Sequence, residues 1–524
     1  MAYRGQQFEI PVGLGGLMTE DGPLRLEPHS LYRAQNVKVN GYIERDYGAS
    51  KWNEESLGSG IVAIYDYWVA SKQYVIAVTR DGKVYSYTDR YTKKEITAET
   101  GAPSKLKITE RVHIVEGGLE NVNSPKKLFI FTGNNPVQVI EGVPSKRRNL
   151  TSPAADWSGD NQPFFGIVFL GRLVAFGNRN LPHFVYVSTA SNQEDFSTNP
   201  FDTGLANVFP GDGEKLQSAF IYKGRLHLLK YPKGLYGMEV QDIGNTHTWY
   251  FQKMNDDFGA SSITATTAIL DDVWVLNSDG AITSLSAAFK LGNIDSANIF
   301  KLMKVSNYIK QIASPLGVGE RAAIYHSINK KAYFVYRSNT SNKNDMMLQF
   351  DFSEDNPRLV LDTKNQPNCI ALIKDVNLLQ QVFYGSDDGF IYEMNGADRS
   401  VNDSGYLSEF QTPHIECGAP GDKNFDFVEI FYVPTGGWNV SCDVFIENKK
   451  TETKSFYLGR SNQLDQFVLD KNKLQGTSIR SHRLPIHGRG KTISLRFYQS
   501  AANQNFKIAK IVVYFRGAGQ NEKE

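Results

Sequence analysis

Three stretches of this chain repeat one arrangement: YVIAVTRDGKVYSYT from residue 74, VWVLNSDGAITSL from 273 and QVFYGSDDGFIYEM from 381. Each sets an Asp-Gly pair (Asp81-Gly82, Asp279-Gly280, Asp388-Gly389) between two runs of β-branched and aromatic residues. A two-residue hairpin needs positive φ at its turn, which Asp-Gly supplies at little steric cost. Degenerate copies keep the strands and vary the turn: KKLFIFTGNNPVQVIEG, GIVFLGRLVAFGNRN, AFIYKGRLHLLKYPKGLYGMEV and KKAYFVYRSNTSNKNDMMLQFDF. The spacing, ~40–50 residues, is that of propeller blades. A small twisted sheet cannot bury both faces alone, and a closed ring of such sheets can. The expected fold is all-β: a β-propeller of six or seven blades over 61–397, with two β-sandwiches in series as the alternative.

Aromatic content of 12% and 45 glycines agree with strands and tight turns. Helical periodicity is sparse; residues 296–312, with Ile299, Phe300, Met303, Ile309 and Ile312, are the best helical candidate. After Asp398 the polar segment RSVNDSG precedes further alternating runs: FVEIFYVP, CDVFIEN, KSFYLG, QFVLD, TISLRFYQ and KIAKIVVYF. These predict an antiparallel β-sandwich over 398–524 with a polar tail. Residues 1–60 hold few apolar residues and read as an extended N-terminal docking arm. Ser30 is placed to cap a short turn reaching Asn36, and Asn40-Gly41 is a hairpin turn able to add a strand to a partner's sheet edge.

The chain carries 57 basic and 56 acidic residues, so net charge does not mark a nucleic-acid binder. Three dispersed cysteines, Cys369, Cys417 and Cys442, give no disulfide or zinc framework. That usage points to synthesis in a reducing cytoplasm. The longest apolar run, FFGIVFLGRLVAF, is too short to span a membrane and contains Arg172. The first residues do not form a secretion signal.

No nucleophile elbow, Walker loop or zinc spacing is present, and no cofactor or enzymatic activity is expected. GDGEK at Gly211 lacks the spacing of a phosphate loop. The pairs Asp256-Asp257, Asp271-Asp272 and Asp387-Asp388 could serve glycoside hydrolysis but read as turn residues. His227 and His326 lie within strand patterns and read as structural. Two basic clusters are candidates for phosphate contact: Lys146, Arg147 and Arg148, and Arg480, Arg489 and Lys491. Neither has interleaved aromatics, so base stacking is not indicated.

The stretch GGLMTEDGPLRLEPHSLYRAQNVKVNGYIERDYG resembles the amino-terminal segment of the tail-nozzle, or packaged-DNA stabilisation, proteins of short-tailed bacteriophages. The matching positions are Gly15-Gly16, Glu20-Asp21, Pro28, Ala34, Asn36-Val37, Gly41, Arg45 and Gly48. The blocks FGASSITATTAILDDVWVLNSDGAITSL and YKGRLHLLKYPKGLYGMEV are similar to two further blocks of that family. The likeness implies a structural virion protein of the phage tail, assembled as a homo-hexamer below the portal and adaptor ring. Such a ring extends the channel for packaged double-stranded DNA, retains the genome until ejection, and meets other tail proteins or fibres. It also implies that Asn36, Val37, Asn40, Gly41 and Arg45 dock the arm. The rivals are a glycan-binding or glycan-degrading propeller on a tail fibre and a non-viral propeller scaffold.

Overall fold

The computed structural model describes residues 5–517 apart from 21–24, 110, 119–124, 198–206, 210, 258, 292–296, 318–319, 355, 376, 395, 397, 419 and 460–478. The predicted strand QFVLD and most of the polar tail lie outside the described residues.

The fold is all-β. Among the described residues, seven small, mainly antiparallel sheets follow one another along the chain. Their first strands are Ile61–Val69, His113–Gly117, Phe165–Phe169, Lys215–Tyr222, Thr266–Ile269, Ala322–His326 and Cys369–Lys374. Each first strand touches the next, and Cys369–Lys374 returns to Ile61–Val69, so the sheets close into a ring.

Side-chain alternation explains why. In Lys127–Phe131 of the second sheet, Leu128 and Ile130 join the apolar cluster shared with the first sheet. Phe129 and Phe131 join the one shared with the third. In Lys72–Thr79, Ile76 and Val78 face the second sheet, while Val75 and Ala77 face the seventh. Strands apolar on both faces bury both only between two neighbours, which a ring provides for every sheet. The Asp-Gly hairpins form, but with three-residue loops rather than two-residue ones: the Gly82, Gly280 and Gly389 N–H groups donate to the Thr79, Asn277 and Ser386 carbonyls, and the glycines alone take positive φ, +84°, +88° and +79°.

The N-terminal segment differs from an arm that orders on a partner. Ala49–Lys51 is the outer strand of the seventh sheet, paired with Ile391–Met394, so the chain's beginning completes the ring's last sheet. Arg33–Gln35 pairs in parallel with Arg358–Asp362 of the sixth sheet and antiparallel with Ser408–Gln411. It thereby joins the sixth sheet to one sheet of the C-terminal unit as a single nine-stranded sheet. The other C-terminal sheet takes Gln6–Ile10, Val37–Val39 and Ile43–Arg45 beside Lys507–Gly517, Lys423–Tyr432 and Arg480–Gly490. Leu17, Leu31, Val37, Val39 and Ile43 are buried in a core that also holds Phe410, Phe497, Ile508 and Val513. The first 60 residues are few in large apolar groups, but most of those described point inward, Leu14 being exposed.

Two local expectations change. Ser30 caps no helix; its hydroxyl donates to the Glu27 carbonyl, and the following residues are strand. The helical candidate is two short helices, Ile299–Leu302 and Ser306–Ile312, the first capped by Asn298.

Candidate functional site

Asn36 and Arg45 lie at the junction of ring and C-terminal unit. Asn36 sits at φ +53°, a left-handed conformation that asparagine tolerates better than most residues. Its amide donates to Leu407 O (2.7 Å) and Thr363 Oγ1 (3.1 Å), and its Oδ1 accepts from the Thr363 N–H (2.8 Å). Val37 is fully buried. The buried Arg45 guanidinium donates to the carbonyls of Ala501, Gln504 and Tyr406 and lies 4.2 Å from the Tyr406 ring. These three residues are occupied within their own chain. Of the five predicted docking residues, Asn40 and Gly41 remain exposed, at the tip of their hairpin.

Beside them is an ion cluster the sequence did not announce. Lys364 Nζ lies 2.9 Å from Asp46 Oδ2 and 2.8 Å from Asp362 Oδ2, with all three side chains at most 3% exposed. Burial alone would raise the Asp46 carboxyl, but Lys364 and Lys331 hold it down at about 2. The signal available was Arg45-Asp46, two charged residues between buried positions. Its partners lie more than 300 residues away, and no local pattern connects them.

The basic candidates do not converge. Lys146, Arg147 and Arg148 are in the second sheet, and Arg480, Arg489 and Lys491 are in the C-terminal unit. Lys146 is exposed. Arg147 is 1% exposed, donating to Gln138 Oε1 (2.7 Å) and to the carbonyls of Pro103 (2.7 Å) and Ser104 (2.9 Å). As phosphate contacts they are therefore unequal: strand alternation turns Arg147 inward. Arg148 is held by Glu194 (2.6 and 2.8 Å) and Glu141 (2.7 Å). Burial would raise the Glu194 carboxyl; Arg148 and Lys127 depress it to about 2. Arg489 pairs with Asp422 at 3.2 Å, and Lys491 is exposed. Pro485 and the glycines of RSHRLPIHGRG hid a strand, Arg480–Gly490, whose Leu484 and Ile486 are buried.

The acidic pairs are engaged locally. Asp387 contacts Arg80 (3.4 Å), Lys343 (3.3 Å) and the Asn368 amide (2.6 Å). Asp388 accepts from the Tyr392 hydroxyl at 2.6 Å, and Asp272 accepts from Ser284 and the Ser286 N–H. Asp256 pairs with Lys253. GDGEK runs into the strand Lys215–Tyr222, so no helix N-terminus follows it. His227 stacks on Phe220 with centroids 5.2 Å apart, and His326 Nε2 lies 2.7 Å from the Gln380 carbonyl. Burial lowers the pKa of both histidines. Among the described residues no group of three or more His, Cys, Asp or Glu is placed to hold a metal ion. No helix among them is long and apolar enough to cross a membrane.

The ring has two faces. The hairpins joining first to second strands lie on one, and those joining second to third strands on the other. On the second face, ion pairs cross between sheets, as Asp387 does to Arg80 and Lys343. On the first face the tips carry apolar groups: Leu170, Ile221, Leu270, Ile328, Leu378 and Leu379, between 42% and 71% exposed. Leu170, Leu270 and Leu378 also have φ of +49°, +53° and +62°. Between the faces, a cavity of about 550 Å³ on the ring axis is lined by first-strand residues of the first, second and seventh sheets.

No family model and no curated protein matches this chain. Among solved structures, it is similar to YCF48 bound to a D1 peptide, at 9% identity and a TM-score of 0.42, covering 69% of this chain and 98% of that one. YCF48 from Cyanidioschyzon merolae is similar at 9% identity and a TM-score of 0.39, covering 66% and 99%. The exo-β-1,3-galactanase from Phanerochaete chrysosporium with galactose is similar at 10% identity and a TM-score of 0.28, covering 90% and 100%. Likenesses this distant define neither the fold nor the function of this chain.

Proposed function

We propose that the chain is a structural assembly part: a seven-bladed β-propeller fused rigidly to a β-sandwich, serving as a ring component of a short phage tail. The blade count is supported by the succession of first-strand contacts that ends where it began. The place in a tail nozzle, as a homo-hexamer under an adaptor ring with packaged DNA passing through the assembled lumen, is supported by the amino-terminal and central sequence blocks.

One observation carries the assembly reading. Tight turns with positive φ favour Gly, Asn or Asp, and bulky side chains there are strained. This chain instead sets Leu170, Leu270 and Leu378 at such positions, exposed, on one face of the ring. Solvent exposure of leucine brings no folding stability, and an apolar set at strained, exposed positions marks a contact surface. That surface faces a neighbouring protein in the assembled tail.

The triple substitution Leu170→Asn, Leu270→Asn and Leu378→Asn separates folding from assembly, because asparagine suits these backbone angles better. The variant keeps or raises the thermal midpoint. Mass photometry shows it failing to enter the multi-subunit ring, or the complex with the adaptor, that the parent chain forms. A parent chain that stays single-copy with the adaptor present refutes the reading, as does a variant that assembles normally.

A further inference from the structure

Arg111 stands just before the strand His113–Gly117, 7% exposed, and its guanidinium has no hydrogen-bond or ion-pair partner among the described residues. Its Nε and Nη2 are sealed from water. Burial lowers its pKa to about 10, an effect that Cys369 and Glu320 offset only in part. A buried cation lacking a matched anion is costly, so the chain retains Arg111 against its own stability.

Arg111 lies between two cavities. The larger, on the ring axis, has Lys126 and Lys374 against Asp66 and Glu116, with Lys126 and Glu116 paired at 2.7 Å. The smaller, about 130 Å³, lies among the second, third and fourth sheets. Its lining holds Arg111, Arg179 and Lys215 and the hydroxyls of Thr109 and Thr132, with no carboxylate among the described residues. Lys215 has no ion pair among the described residues; its ammonium lies 5.9 Å from the Phe164 ring and 6.0 Å from that of Tyr231. Arg179, about half exposed, is loosely tied to Asp160 at 3.6 Å and donates to Asn134 Oδ1 at 2.5 Å. Two of these three cations, Arg111 and Lys215, have no paired carboxylate among the described residues, which in a chain with a net charge of +1 is a local excess.

We propose that the smaller cavity is a binding site for one small tetrahedral oxyanion of the phosphate class, held by Arg111, Lys215 and Arg179. At ~30 Å³ per water, its 130 Å³ holds about four waters, which suits a five-atom oxyanion and excludes a nucleotide. A monatomic anion cannot reach three cations from three sheets, whereas several oxygens can engage each separately. Guanidinium donors favour oxyanions for their matching geometry. This site is independent of the assembly reading, since it lies inside a single ring.

Titration calorimetry of the full chain with inorganic phosphate, in chloride buffer, tests it. The expected result is one saturable site per chain, weakened ~tenfold or more by Lys215→Met and by Arg111→Met. The exposed Lys146→Met leaves it unchanged. Sulfate competes and chloride does not. If Arg111→Met does not fold, Lys215→Met alone decides. No saturable heat at millimolar phosphate, or undiminished affinity in Lys215→Met, overturns the proposal.

Discussion

Replacing Lys364 by Met removes the cation from the junction between ring and C-terminal unit. Asp46 and Asp362 are 3% and 1% exposed and lose the ammonium that sits within 2.9 Å of each. Lys331, 3.9 Å from Asp46, is a weaker substitute, and the Asn365 amide still donates to Asp362 at 2.9 Å. Removing one partner of a buried pair costs ~3–5 kcal/mol because the remaining charge has no solvent. With a urea dependence of about 3 kcal/mol/M, this lowers the midpoint by roughly 1–1.7 M. Urea unfolding followed by tryptophan fluorescence measures it. Adding Asp46→Asn and Asp362→Asn removes the stranded charges and restores part of the loss. A Lys364→Met midpoint within ~0.2 M of the parent refutes the view that this cluster binds the two units together.

Acid titration reports on this junction and on the Glu194 cluster within the ring. The Asp46 and Glu194 carboxyls ionise more readily folded, at about 2, than unfolded, near ~4. Their contribution is therefore full above about pH 4 and is lost as pH falls towards 2, and Asp46→Asn flattens that part of the stability curve. Gly48→Ala places a Cβ 1.6 Å from the Ser400 carbonyl oxygen, against backbone. It lowers stability by ~1–3 kcal/mol in calorimetry. Arg147→Ala strands the Pro103 and Ser104 carbonyls and costs about 2 kcal/mol or more. Its effect appears in unfolding and not in DNA retention, whereas Lys146→Ala leaves stability unchanged.

Much of the ring was legible because hairpins are local. Asp81-Gly82, Asp279-Gly280 and Asp388-Gly389 lie between strands only a few residues apart, and strand continuity carried the rest. Burial on both faces, as in Leu128 to Phe131, became visible only in the structure, where alternate side chains of that strand enter two different clusters. What escaped was set by long-range pairing. Arg33–Gln35 meets strands over 300 residues later, and three-residue strands leave no readable period. A sparse apolar content suggested an arm, yet Leu31, Val37 and Ile43 all point inward. The candidate sites were read from side-chain type alone, which cannot tell the exposed Lys146 from the enclosed Arg147. Arg111 gave no signal, since a lone arginine beside a strand is ordinarily solvated.

The beginning of the chain is an internal fastener that completes the last sheet of the ring and joins it to the C-terminal sheets. Hydrogen exchange of the isolated full-length chain tests this at single amides. Leu17, Asn36, Ala49 and Trp52 donate to Leu359, Leu361, Ser400 and Ile391. They are expected to exchange as slowly as the strand Lys507–Gly517. Exchange of these four at the rate of an unfolded peptide, with the later sheets still protected, contradicts it.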